Sequence, residues 1–156
     1  MDPLYVHLLI NHVPLIGTIG SVLLLAAAFF TRSKDLATAG LVGMVLVALA
    51  TIPTYLTGEP AEERVEHLAG FSRDAIHEHE DAGKFAIIAM EIAGVVALAA
   101  LVMSRRRPTS RVWLGVTLLV SLWGLSVVAR TAYLGGKIRH TEVHGAAAAS
   151  DDRDED

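Results

Sequence analysis

Long apolar runs alternate with short polar stretches along the chain. Four of these runs, at 4–30, 36–57, 85–103 and 112–136, reach roughly the 20 residues that an α-helix needs to cross about 30 Å of hydrocarbon. Short turns join the first run to the second and the third to the fourth, so consecutive helices are expected to run antiparallel. The pattern therefore predicts an all-α fold, an integral membrane four-helix bundle.

The composition agrees with a bilayer as the surrounding solvent. Of the 156 residues, 53% are hydrophobic and only 19% are charged, and the mean hydropathy is +0.47. Small residues allow membrane helices to approach closely, and every run contains glycine. These glycines are Gly17, Gly20, Gly40, Gly43, Gly94, Gly115 and Gly124.

Two polar segments complete the predicted organisation. The segment at 58–84 is acidic and contains Pro60, which suits the first turn of a helix, so it predicts a short helical cap on the bundle. The bundle and its cap form one domain, 1–144. The remaining residues, 145–156, are a low-complexity acidic tail, which we expect to be disordered and to carry no site.

Basic residues predict the orientation in the membrane. Arg32 and Lys34 lie in the first short turn, and 105–107 with Arg111 lie in the turn between the third and fourth runs. The positive-inside rule makes both turns cytoplasmic. The two termini and the polar segment at 58–84 are then expected on the extracytoplasmic side.

Several chemistries are excluded by what the sequence lacks. There is no cysteine, which excludes disulfides, thiolate ligands and c-type haem attachment. No nucleophile elbow, phosphate-binding glycine loop or nucleotide fingerprint is present, which favours a non-enzymatic subunit. The basic residues are explained by topology, so we expect no nucleic acid partner.

The histidines all fall on the predicted outer side. His7 and His12 differ by five residues and therefore point about 140° apart on one helix. His12 lies deeper, so we expect it to point into the bundle and to be the better ligand. The others are His67, His77, His79, His140 and His144.

Two further ionisable residues lie within the apolar runs. Glu91 and Arg130 each lie about 9 Å below the predicted outer boundary, at a depth comparable to that of His12. Ionisable groups inside membranes usually face the bundle interior and pair with one another. We therefore expect a buried ion pair between Glu91 and Arg130.

The outer-side motifs resemble a known family. The stretches HLLINHVP, TGEPAEE, HEHED and GGKIRHTE resemble those of the small four-span bacterial membrane proteins called domain of unknown function 2231. The resemblance covers roughly residues 4–143 and implies that His7, His12, Pro14 and His79 match family positions. It also implies a bacterial inner membrane and, because some members carry redox domains, electron traffic at the outer face.

Three functions remain open from the sequence. The first is a redox subunit that binds b-type haem through His12 and His79, with His140 as the alternate ligand, and exchanges electrons with a redox protein at the outer face. Arg130, Lys137 and Arg139 would then meet the haem propionates.

The second function is a site for a transition-metal ion. Mixed imidazole and carboxylate ligands without sulfur suit iron, zinc, copper or nickel. The candidate ligands are His7, His12, Glu63, His67, His79, Glu80 and His140. The third function is a structural or assembly subunit of an oligomer or larger membrane complex.

Overall fold

The computed structural model describes residues 2–65, 73–104 and 110–139. These ranges contain helices and no β-strand, which confirms the predicted all-α class. The helices are α1 (Pro3–Ile10), α2 (His12–Thr31), α3 (Lys34–Leu56), α4 (Gly58–Val65), α5 (Arg73–Ser104) and α6 (Arg111–Arg139). The predicted tail at 145–156 lies outside the described residues, as do His67 and His140.

Four of these helices form the bundle. α3 packs beside α2 and α5, and α6 packs beside α5 and α2, so the four helices surround one core. Consecutive helices reverse direction, and α2 and α5 therefore run the same way at opposite corners. The predicted antiparallel four-helix bundle is confirmed.

Small side chains bring the helices together. A Cβ atom added at Gly94 on α5 would collide with Cβ of Ala48 on α3, so these two helices touch almost backbone to backbone. Close packing of this kind holds membrane helices together, because lipid gives no hydrophobic drive for their association. The face of α5 toward the core is mostly alanine, namely Ala86, Ala89, Ala93, Ala97 and Ala100.

Four helical stretches are long and apolar enough to cross a membrane: Leu4–Thr31, Lys34–Val65, Arg73–Ser104 and Arg111–Ile138. Their outward surfaces carry exposed large apolar side chains, such as Leu23, which suit contact with lipid. The protein is therefore a multi-pass membrane protein in a lipid bilayer.

Two of the four stretches are longer than the hydrocarbon is thick. Lys34–Val65 and Arg73–Ser104 each contain 32 residues, about 48 Å of helix against about 30 Å of hydrocarbon. Their polar ends, α4 and the first part of α5 at 73–84, therefore extend beyond the apolar layer. Both polar ends lie at the same end of the bundle, which we call the cap end.

The cap end is built from α1, α4 and the start of α5. α1 packs against α4, and its N-terminus is capped by Asp2, which accepts a hydrogen bond of 3.1 Å from the backbone N–H of Leu4. Asp2 also lies 3.5 Å from the guanidinium of Arg64 on α4. A helical cap was predicted, and α4 supplies it within the described residues.

Asn11 separates α1 from α2. Pro14 has no backbone N–H, so the carbonyl of Ile10 loses the hydrogen bond that would have continued the helix. The backbone N–H of Asn11 closes α1 instead, by donating to the carbonyl of His7 at 2.9 Å. Asn11 keeps helical backbone angles, φ of -61° and ψ of -21°, so α1 leads into α2 within one apolar stretch, Leu4–Thr31.

Candidate functional site

His7 is held by the end of α3. Its Nδ1 lies 3.1 Å from the carbonyl oxygen of Thr54 and 3.3 Å from Oγ1 of Thr57, and the ring is partly buried. The Thr54 carbonyl belongs to the last turn of α3, where carbonyls have no backbone N–H donor within the helix and accept hydrogen bonds from other groups. Because a carbonyl only accepts, Nδ1 must carry the proton, and Nε2 keeps its lone pair.

His79 is held by α6 in the same manner. Its Nδ1 lies 2.9 Å from the carbonyl oxygen of Thr131, which again assigns the proton to Nδ1 and the lone pair to Nε2. In return, Oγ1 of Thr131 donates to the carbonyl of Ala82 on α5 at 3.1 Å. The pair of contacts locks the ring of His79 against α6.

Gly135 provides the space for the His79 ring. A Cβ atom at this position would lie 2.9 Å from Cε1 and 3.1 Å from Nδ1 of His79, closer than ordinary contact. The imidazole therefore lies directly over a residue without a side chain. Gly58 lies similarly near His7, but there an added Cβ would be 3.6 Å from Cε1, an ordinary distance.

The two imidazoles lie at one level of the bundle. Oγ1 of Thr18 on α2 contacts Sδ of Met90 on α5 at 3.7 Å, and these two helices run the same way. His7 and His79 each come eleven residues earlier, about 16 Å closer to the cap end.

The chemical state of His79 suits a ligand. His79 lies in the polar part of α5 beyond the apolar span, and burial lowers its pKa, so the neutral imidazole is favoured. A neutral ring with Nδ1–H on a backbone carbonyl and Nε2 free is the usual arrangement of a histidine that binds a metal centre. The site thus presents two such rings from different helices.

His12 does not point into the bundle as expected. Its side chain is exposed, whereas that of His7 is partly buried and hydrogen-bonded to α3. Asn11 keeps a helical backbone within the stretch Leu4–Thr31, so the five-residue offset that points His7 toward the end of α3 points His12 outward. His7 and His79, and not His12, are therefore the histidines that hydrogen bonds orient against neighbouring helices.

The predicted ion pair between Glu91 and Arg130 is also not formed. Oε1 of Glu91 is buried and has no hydrogen-bond partner, and the side chain of Arg130 is exposed. Residues at similar depth on two helices do not pair unless their side chains also point toward each other around the helix axes. Arg130 lies on the outward face of α6.

The carboxylates at the cap end are engaged in other contacts. Glu80 lies 3.0 Å from Nζ of Lys84 and 3.7 Å from Nδ1 of His77, while Glu63 is exposed. Within 2–65, 73–104 and 110–139, no group of three or more histidine, aspartate or glutamate residues is placed to hold a metal ion. The predicted ligand set is therefore not assembled there; His67, His140 and the side chain of Arg139 lie outside the described part.

Sequence reasoning missed the groups that orient the rings. The Thr54 and Thr131 carbonyls and Gly135 carry no local sequence signal of this role, because each acts through the backbone of a distant helix. It also missed Glu62 on α4, beyond the apolar span. Partial burial, together with the charges of Glu80 and Glu59, raises the pKa of Glu62 to about 7.

Comparison with known proteins finds no matching family model, no matching curated protein and no matching solved structure. The resemblance to the four-span bacterial family therefore stays a prediction.

Proposed function

We propose that the protein is a membrane-embedded redox subunit that binds b-type haem at the cap end, where Nε2 of His7 and Nε2 of His79 would hold the iron. One observation carries the proposal: two imidazoles at one level, each with Nδ1 fixed on the carbonyl of another helix. This arrangement fixes the tautomer of both rings and leaves both Nε2 lone pairs available.

The number of ligands supports haem over a bare ion. Porphyrin supplies four nitrogens to iron, so two protein imidazoles complete the coordination. A structural zinc site usually takes four protein ligands. The described residues offer His7 and His79 but no third acidic or imidazole ligand beside them.

One neighbour of the rings supports their role as ligands. Gly135 leaves the space that the His79 ring occupies, and a side chain there would compete with the ring. Arg130 was expected to meet a propionate, but its exposed side chain lies on the outward face of α6, so we assign it no haem contact. Bound haem would supply one-electron oxidation and reduction, and the chain would hold and orient it.

The charge distribution supports an extracytoplasmic location for the site. Arg32, Lys34 and Arg111 lie at the opposite end of the bundle, which the positive-inside rule makes cytoplasmic. The cap end then faces the outer side of a bacterial inner membrane. Its electron partner would be a redox protein that docks on that side.

Absorption spectroscopy tests the proposal. The protein is purified in detergent from haem-supplied cells, and the apoprotein is titrated with haemin. We expect a Soret band with sharp reduced-minus-oxidised α and β bands, and one haem per chain. His7→Ala and His79→Ala should each reduce haem uptake at least tenfold, because one axial bond is lost.

His12→Ala is the matched control, since it removes the same side chain from an exposed position five residues away. It should keep the wild-type spectrum. A protein that takes up no haem, or one in which His12→Ala loses haem as fully as His7→Ala, would contradict the proposal. Stoichiometric metal without a Soret band would point instead to an ion site.

A further inference from the structure

A second site lies at the other end of the bundle, which we call the basic end. A cavity of about 330 Å³ opens there, where the turn between α2 and α3 meets α5 and α6. Its walls include apolar side chains, among them Phe29 and Leu114. Its polar lining is Arg32, Ser33, Lys34, Thr38, Ser104 and Arg111.

Three of the described cationic side chains, those of Arg32, Lys34 and Arg111, line this cavity without an acidic partner. Among the described residues, the ion pairs of Asp and Glu side chains all lie at the cap end, and none includes Arg32, Lys34 or Arg111. Topology explains why positive charges occur at this end of the bundle. It does not explain why three of them line one cavity, where their mutual repulsion is unfavourable.

Contacts with α2 hold the side chain of Arg111 in position, and the backbone places Arg32 at the end of α2. Arg32 ends α2 in the left-handed conformation, with φ of 58°, and its N–H donates to the carbonyl of Ala28. The guanidinium of Arg111 lies 5.0 Å above the ring of Phe29 and donates to the Phe29 carbonyl at 3.5 Å. Arg111 is therefore oriented by α2 and leaves most of its donors free.

A hydroxyl group adds a neutral donor. Oγ of Ser33 accepts a hydrogen bond from the backbone N–H of Leu36, so its own hydrogen is free to donate. The hydroxyls of Thr38 and Ser104 donate to carbonyls of their own helices and are not available in this way. The cavity thus offers three cations and one hydroxyl donor to an acceptor-rich anion.

We propose that this cavity binds a phosphate group, and that the group belongs to an anionic phospholipid. Phosphate matches the guanidinium fork and accepts several hydrogen bonds at once. The cavity lies where the apolar helices end, which is the depth of lipid headgroups, and its apolar wall suits the first carbons of the acyl chains. Basic pockets between membrane helices bind anionic headgroups in this manner.

Native mass spectrometry of the full chain in detergent tests the site. Phosphatidylglycerol, phosphatidylcholine and inorganic phosphate are added separately, and the bound fraction is measured. We expect one phosphatidylglycerol to be retained in preference to phosphatidylcholine. Arg32→Gln and Arg111→Gln should each weaken its binding about fivefold, the effect of about one surface charge.

Two variants separate the site from general charge and folding effects. Arg64→Gln removes one positive charge at the cap end and should leave lipid binding unchanged. Arg111→Lys keeps the charge but loses the guanidinium fork, so it should bind at an intermediate level if folded like wild type by circular dichroism.

Three outcomes decide the proposal. Inorganic phosphate that displaces the lipid would support a phosphate site whose ligand is also the free anion. Equal retention of phosphatidylcholine and phosphatidylglycerol would overturn the assignment to an anionic headgroup. Equal loss of lipid in Arg64→Gln and Arg111→Gln would show that net charge, and not this cavity, attracts the lipid.

Discussion

Gly135→Ala tests how closely the His79 ring is fitted against α6. The added Cβ would lie 2.9 Å from Cε1 and 3.1 Å from Nδ1, so the ring must move by about half an ångström to reach ordinary contact. The ring is also tied to the Thr131 carbonyl by a hydrogen bond of 2.9 Å. Movement away from Gly135 would strain or break that bond.

The magnitude follows from two opposing effects. Overpacking of this kind costs about 1 to 3 kcal/mol, while replacing glycine by alanine within a helix gains about 0.5 to 1 kcal/mol. Gly136 is the matched control, because a Cβ added there meets no atom within 4 Å. Gly136→Ala should therefore gain the helix stability of alanine without any clash with His79. The free energies of unfolding of the two variants should differ by about 1 to 3 kcal/mol.

The assay is thermal unfolding in detergent, followed by far-ultraviolet circular dichroism, together with haemin titration of each variant. Gly136→Ala should melt above wild type and bind haem normally. Gly135→Ala should melt below Gly136→Ala and bind haem more weakly, because Nε2 is displaced. Equal melting and equal haem affinity in the two variants would refute the described fit of His79 over Gly135.

Three further predictions concern haem binding and stability. Gly58→Ala should leave haem binding unchanged, since its Cβ would lie 3.6 Å from His7 Cε1. Glu91→Gln and Arg130→Gln should be additive within about 0.5 kcal/mol in a double-mutant cycle of unfolding, because Glu91 Oε1 has no partner. Glu62, with a pKa raised from 4.5 to about 7, binds its proton more tightly when folded, so stability should fall as pH rises from about 4.5 to about 7.

Each of these results has a clear opposite. Loss of haem in Gly58→Ala would mean that His7 is packed more tightly than described. A coupling energy above about 1 kcal/mol in the double-mutant cycle would show that Glu91 and Arg130 interact. For Glu62, the free energy of unfolding should change by about 1 to 2 kcal/mol over this pH range after screening by solvent. Glu62→Gln should flatten the pH profile of the melting temperature. An unchanged profile would exclude Glu62 as its cause.

The bundle could be predicted from the sequence because its signal is local and strong. Each span is a long apolar run, and hydrocarbon leaves a helix as the only way to satisfy the backbone of such a run. The short turns then fix an antiparallel order. The predicted run at 85–103 was shorter than α5, which begins at Arg73, because helical hydrogen bonds continue past the hydrophobic boundary.

The site was predicted only in part, since its geometry depends on rotation about each helix axis. His79 was among the candidates, and its partner was expected to be His12 because depth favoured the deeper histidine. In the structure the order is reversed, because His12 is exposed whereas His7 is partly buried against α3. The direction of His7 depends on its contact with Thr54, which lies 47 residues away and gives no local sequence signal.

Cysteine cross-linking tests the convergence of the two imidazoles most directly. The chain contains no cysteine, so His7→Cys with His79→Cys creates the only two thiols. In native membranes, a short bifunctional thiol reagent should join them within one chain, adding a single linker mass and protecting both thiols from later alkylation. His12→Cys with His79→Cys should take up two separate reagents. Efficient cross-linking of the pair at 12 and 79, with none between 7 and 79, would contradict the account.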